Sequence, residues 1–239
     1  MRKRSVGFLL VALGLAVSIC ACNWTTQTGE LREETEIVEL DGAESATVNV
    51  RMGAGGLTLS GGADALAKAD FTYNVAAWQP VLDYVVAGEE GELWIEQPEV
   101  KNLGLASYRY TWDLALNEDV PLALDVAVGA GEADLDVSTL SLTGLNLKVG
   151  AGGVDLDLTG ERERDVDVVI RGGLGEATIL LPSDVGVKAE VTGGLGELTV
   201  TGLTKEESGY VNAAYGESEP TITLDIDGGV GGVTLQVAE

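Results

Sequence analysis

The chain has 239 residues, with 33 glycines, no histidine, and 39 acidic against 14 basic side chains, for a formal net charge of −25. That charge is repelled by nucleic acid and by anionic lipid headgroups, which excludes nucleic-acid binding and holds the domain off a membrane surface. The lack of histidine removes the commonest general base and transition-metal ligand, while an apolar fraction of 45% supports a packed core rather than a disordered chain.

At the N-terminus Arg2, Lys3 and Arg4 precede an apolar stretch from Val6 to Ile19, followed by Cys20, Ala21 and Cys22. This is an export signal, and its apolar run falls short of the roughly 20 residues of a spanning helix. Cys22 follows a small residue, and the segment resembles a bacterial lipobox, with Cys20 where a small or aliphatic residue is usual. The reading is a lipoprotein signal peptide over residues 1–21 and an acylated Cys22 that anchors the mature chain to the membrane. A plain secretory signal or an uncleaved anchor are the alternatives. Once Cys22 is acylated no thiol remains for a disulfide, so stability must come from the core. Residues 22–36 are polar and read as a tether.

Residues 37–117 form an N-terminal region. Val48, Val50 and Met52 lead into a first glycine corner, and ADALAKA, Ala63 to Ala69, has a helical look. The insertion up to Asn117 holds eight of the chain's 12 aromatics. Within it FTYNV alternates as a strand, and LDYVV and ELWIEQP flank a GEEG hairpin. Such an insertion caps the open core of a repeat stack, or it presents an aromatic platform to a glycan or protein. For the platform, Tyr108, Tyr110 and Trp112 alternate and share one face of a strand. Residues 118–239 form a repeat array broken by a loop at 204–220. Tyr210, Asn212 and Tyr215 in that loop complete the candidate partner surface, the alternative being a loop packed on the side of the stack.

The array is organised by one motif, present six times: GAGGLTL from Gly53, GAGEADL from Gly129, GAGGVDL from Gly150, GLGEATI from Gly173, GLGELTV from Gly194 and GVGGVTL from Gly229. Alternation before each copy resumes one place out of step after it, as in Leu145, Leu147, Val149 and then Val154, Leu156, Leu158. Strand side chains alternate faces, so an odd step reverses the inner face unless a corner absorbs it. Starts 21, 23 and 21 residues apart between Gly129 and Gly194 indicate stacked rungs. The fold class is therefore all-β: a single-stranded β-solenoid of about 21-residue glycine-cornered rungs, with an N-terminal β insertion. The alternative is an antiparallel β-sandwich in which GAGG forms hairpin turns.

The remaining chemistry is sparse. VVIRGGLGEAT superficially matches a dinucleotide-binding turn, but Thr178 stands where the third glycine belongs, no helix follows, and the motif recurs along the domain. Calcium-binding β-rolls use a nine-residue period. No serine sits in a nucleophile turn, and the carboxylates alternate along strands as a solvated face does. The expectation is a non-enzymatic protein without cofactor or metal.

Three segments carry a family resemblance: LTLSGGADALAKADFTYNVAAWQPVLDY, WDLALNEDVPLALDVAVGAGEADLDVS and GYVNAAYGESEPTITLDIDGGVGGVTL. They resemble the toast-rack family of bacterial envelope proteins. The β-repeat is also similar to the C-terminal domain of LiaF-like proteins, which respond to cell-wall-active antibiotics, and to adhesin domains of bacterial surfaces. The resemblance implies an extracytoplasmic binding or regulatory module, in the cell-envelope stress response or as a surface adhesin or self-assembling structural protein. Its partners would be an envelope protein or cell-wall glycan. LiaF-like proteins carry membrane helices that this chain lacks, so kinase inhibition does not transfer directly.

Overall fold

A computed structural model describes residues 28–238 apart from 100–107, 174, 194–195 and 230. The signal, the lipobox and Cys22 lie outside the described residues. Sixteen strands and one 3-10 turn, Ala76–Trp78, make up the described fold. In chain order the strands are β1 (Arg32–Val38), β2 (Ser45–Ser60), β3 (Ala67–Tyr73), β4 (Val81–Ala87), β5 (Glu90–Glu96), β6 (Tyr110–Leu116), β7 (Leu122–Asp136), β8 (Leu142–Asp157) and β9 (Val166–Gly172). They continue with β10 (Glu176–Leu181), β11 (Gly186–Gly193), β12 (Leu198–Thr201), β13 (Thr204–Glu206), β14 (Gly209–Val211), β15 (Thr221–Gly228) and β16 (Gly232–Val237).

The strands flanking each glycine motif pair in parallel with their counterparts in the next rung, as a solenoid requires and an antiparallel sandwich does not. β2, β7 and β8 run unbroken through the corner and pair on both sides of it. Register stacks like on like. Ile95, Val50, Val126, Leu147, Ile170, Ile226 and Val191 form one column of the first half. Trp112, Leu57, Ala133, Val154, Ala177, Val233 and Leu198 form one of the second half. Both halves feed one continuous core.

The corner explains the motif. Gly55, Gly131 and Gly152 have φ of 153°, 135° and 139°, a region open to glycine alone among common residues. A Cβ on Gly131 would lie 1.8 Å from the Gly55 carbonyl oxygen, and one on Gly152 would lie 1.7 Å from that of Gly131. Each rung's backbone occupies the place where the next rung's side chain would go.

Rung order departs from chain order twice. In space the rungs run β5/β6, β2, β7, β8, β9/β10, β15/β16, β11/β12, so the last rung of the sequence is wedged inside the stack. Antiparallel strands are added at the ends: β4 on β5, β3 and β1 on β6, and the β13–β14 hairpin on β11.

Three local expectations are corrected. Residues 32–36 are not tether but part of β1, because the polar run pairs along its backbone with β3. Ala67 to Ala69 of ADALAKA open β3 rather than a helix, since Ala67 and Ala69 are buried between neighbouring strands at alternate positions. The segment 204–220 is not simply a loop, as it contributes β13 and β14.

Candidate functional site

The aromatic insertion packs into the end of the core. Phe71 meets Trp112 edge-on at 5.4 Å between ring centroids, and Trp78 meets Tyr110 at 5.3 Å. The Tyr110 hydroxyl donates to the Trp78 carbonyl at 2.8 Å, and burial pushes its pKa up. Tyr110 and Trp112 are 3% and 1% exposed, so neither forms a partner surface. They face inward because β6 lies between β2 and β3 and turns this face to the core. Only Tyr108 of that stripe remains open, at 43% exposure, with its ring edge-on to Trp78 at 4.9 Å.

In the second segment Asn212 is likewise buried and so forms no partner surface. Its Oδ1 accepts from the Val187 N–H, and its Nδ2 donates to the carbonyls of Pro182 and Val185. It satisfies backbone groups that a sharp turn would otherwise strand inside the protein. Tyr210 is half-buried beneath the Lys205 ammonium, 5.9 Å from its ring centroid, and Tyr215 is 37% exposed. The structure thus does not gather the six candidate residues into one site. Tyr108 lies at the end of the stack carrying β6, and Tyr210 and Tyr215 lie with β11 and β14 at the other.

Sequence reasoning missed a polar network on the outer face of the first half-sheet. Arg51 on β2 pairs with Asp125 on β7 at 2.9 Å, and Asn146 on β8 donates to the same carboxylate at 3.0 Å. The Arg51 guanidinium also lies 5.2 Å over the Trp94 ring. Farther along, Arg171 grips Asp225 through two bonds of 3.1 and 2.7 Å, which raises the arginine's pKa and lowers the aspartate's. A shallow groove of about 550 Å³ runs beside this network, between Arg51, Ala127, Lys148 and Arg171 and the glycine column. Only the cross-strand register, absent from any single strand's sequence, brings these residues together.

Arg162 was also missed. It is 8% exposed, and its guanidinium donates to the carbonyls of Val137, Ser138, Leu140, Leu158, Thr159 and Glu161. Burial lowers its pKa. It ties together the turns of two successive rungs opposite the glycine corner, much as Asn117 does for residues 63 and 64 through its amide.

Asp134, Asp136, Asp155 and Asp157 line up outward on the second half-sheet, yet no three metal-ligating side chains converge among the described residues. No helix among the described residues is long and apolar enough to cross a membrane.

Comparison with known proteins agrees with this architecture. A crystal structure of a candidate cell adhesion protein from Clostridium sporogenes ATCC 15579 is 37% identical, covering 87% of this chain and 100% of that one, with a TM-score of 0.85. A candidate adhesin from Bacteroides fragilis NCTC 9343 is 13% identical over 86% of this chain and 97% of its own, at a TM-score of 0.34. One from Parabacteroides distasonis ATCC 8503 is 12% identical over 88% and 98%, at 0.29. No curated protein matches the sequence. The model of the N-terminal domain of toast_rack, DUF2154, matches residues 27–180, well over half of the chain. The glycine-cornered solenoid, the full-length similarity to the clostridial structure and this match lead to one assignment: the chain belongs to the toast-rack family.

Proposed function

We propose that the protein is a non-enzymatic binding module of the bacterial envelope, held to the membrane by an acylated Cys22 and acting in adhesion. The observation that carries this reading is the 37% identity, over 87% of the chain, to a protein named for cell adhesion. The scaffold suits the role. A continuous core and paired strands make a stiff body whose side-chain ladders stay in fixed register, which lowers the ordering cost of recognition. Its acidic charge keeps it from collapsing onto the membrane.

The test compares the native protein with Cys22→Ser in the producing bacterium. The native protein partitions into detergent with the membrane fraction, and cells displaying it adhere to surfaces coated with purified cell-wall glycan or with host-cell protein. Cys22→Ser moves to the aqueous phase and abolishes that adhesion. Equal partitioning of the two proteins removes the lipid anchor from the proposal. Unchanged adhesion of a deletion strain removes the adhesive role.

A further inference from the structure

Among the described residues four strand edges end the stack, and three of them are guarded. β1 carries Arg32, Glu33, Glu34 and Glu36, β4 carries Asp83, and β13 carries Lys205 and Glu206 within three residues. Charge on an edge blocks further pairing. These three are also strands added antiparallel beyond the last parallel rung at their end. The fourth edge, β12, differs on both counts. Its residues Leu198, Thr199, Val200 and Thr201 carry no charge, and among the described residues it pairs with β16 alone.

The core is open at this edge. Leu198 and Val200 stand opposite Val233 and Leu235, so they are core-facing positions. Val233 is 8% and Leu235 0% exposed, whereas Leu198 is 38% exposed because no rung follows it. Val191 on β11 pairs with the buried Ile226 and is only half-buried. A recess of about 150 Å³ opens between Val191, Leu198, Val233 and the glycine corner. The backbone has a free side as well. Glu197 gives its carbonyl to the Val233 N–H at 2.8 Å. Since successive residues direct their N–H and C=O to opposite sides, Leu198 and Val200 direct theirs away from β16.

From this we infer that β12 is a docking site for an extended peptide strand of a partner protein, with aliphatic or β-branched residues at alternate positions and basic flanks. Main-chain pairing to Leu198 and Val200 supplies affinity, and the alternate side chains close the open core layer. Charge selects the flanks. Glu190, Glu197, Glu206 and Glu207 belong to this end of the stack, with Gly209 at the start of β14 set against the Glu190 side chain. Lys188 is already paired with Glu190 at 3.2 Å. A second copy of the chain fits poorly: its β1 would bring three glutamates to this acidic end, and the β13–β14 hairpin extends the first half-sheet two strands beyond β11 while the second half-sheet stops at β12. This inference goes beyond adhesion and does not depend on the lipid anchor.

The experiment titrates the full-length protein, in detergent, into a fluorescein-labelled octapeptide, Lys-Arg-Val-Thr-Val-Thr-Val-Lys, and reads anisotropy. Saturable binding is expected, weakened about tenfold by replacing the basic flanks with glutamate and weakened by added salt. Val200→Pro removes an N–H on the free side only, a change edge strands tolerate, and is expected to weaken binding at least about tenfold with the unfolding midpoint retained. The same peptide N-methylated at alternate residues should fail on the native protein, which tests pairing without altering the fold. Absence of saturable binding, or equal binding of the N-methylated peptide, overturns the proposal. Sedimentation showing a dimer that Val200→Pro dissolves would make a second copy the occupant and overturn it too.

Discussion

Replacing Gly152 by alanine isolates the corner's steric demand. The new Cβ would sit 1.7 Å from the Gly131 carbonyl oxygen, against roughly 3.3 Å for an ordinary carbon–oxygen contact. The obstacle is backbone in a neighbouring rung, so no rotamer change relieves it, and parting the rungs breaks ladder hydrogen bonds at about 4.8 Å spacing. Alanine must also hold φ near 139°, which costs about 1–3 kcal/mol before any overlap. We expect a loss of about 4 kcal/mol, a large share of the 5–15 kcal/mol typical of a domain, and a fall in Tm of roughly 8–16 °C. The adjacent residue is the control. A Cβ on Gly153 meets nothing within 4 Å, so Gly153→Ala should stay within about 0.5 kcal/mol of the native protein. Urea unfolding followed by the fluorescence of the buried Trp78 and Trp112 reads both. Similar midpoints for the two variants would refute the account of the glycine columns.

Arg162→Met keeps the aliphatic stem but strands six carbonyl partners, most of them at the turns of two rungs. A loss of about 2–4 kcal/mol is expected in the same urea assay, and an unchanged midpoint would show that water replaces the guanidinium. Tyr110 predicts alkaline sensitivity. Its pKa is raised by burial, so its stabilising effect is complete below about pH 10, the unfolded value, and declines as pH rises toward the folded value. Tyr110→Phe should flatten the fall in Tm between about pH 10 and 11 while costing about 1 kcal/mol at neutral pH for the lost bond to Trp78.

How far the sequence reaches follows from what each feature depends on. The corner is legible because stacking forces glycine into every rung at the same place and throws the alternation out of step by one. β1 is not legible: Arg32 to Glu36 are largely solvated polar side chains on a strand recruited through its backbone ladder to β3 and a few polar contacts such as Thr35 to Asp70 and Gln79 to Glu34. ADALAKA misleads because alanine and leucine suit a helix locally, whereas burial at alternate residues is decided by β1 and β6 on either side. Tyr110 and Trp112 alternate as expected, but alternation gives one shared face and cannot say whether that face meets solvent or core. Arg162 sits in the charge run ERERD, which reads as surface, and only the turns of two rungs meeting around it make a buried guanidinium favourable. The partners of Arg51 and the misplaced final rung require register, which near-identical rungs cannot specify one at a time.

The wedged final rung also governs how the chain can assemble. β11/β12 precede β15/β16 in sequence but lie outside them in the stack. A polypeptide emerging from its N-terminus therefore cannot complete the array by laying down one turn after another. The neighbour that β9/β10 require emerges after β11/β12, and until it arrives β11/β12 must stay detached or settle in a register that later has to break. Native pairing on the far side of β9/β10 is thus postponed until β15/β16 have been made. The same arrangement makes the C-terminus a keystone: removing the final seventeen residues from Thr223 onward would excise an interior layer rather than shorten the rod.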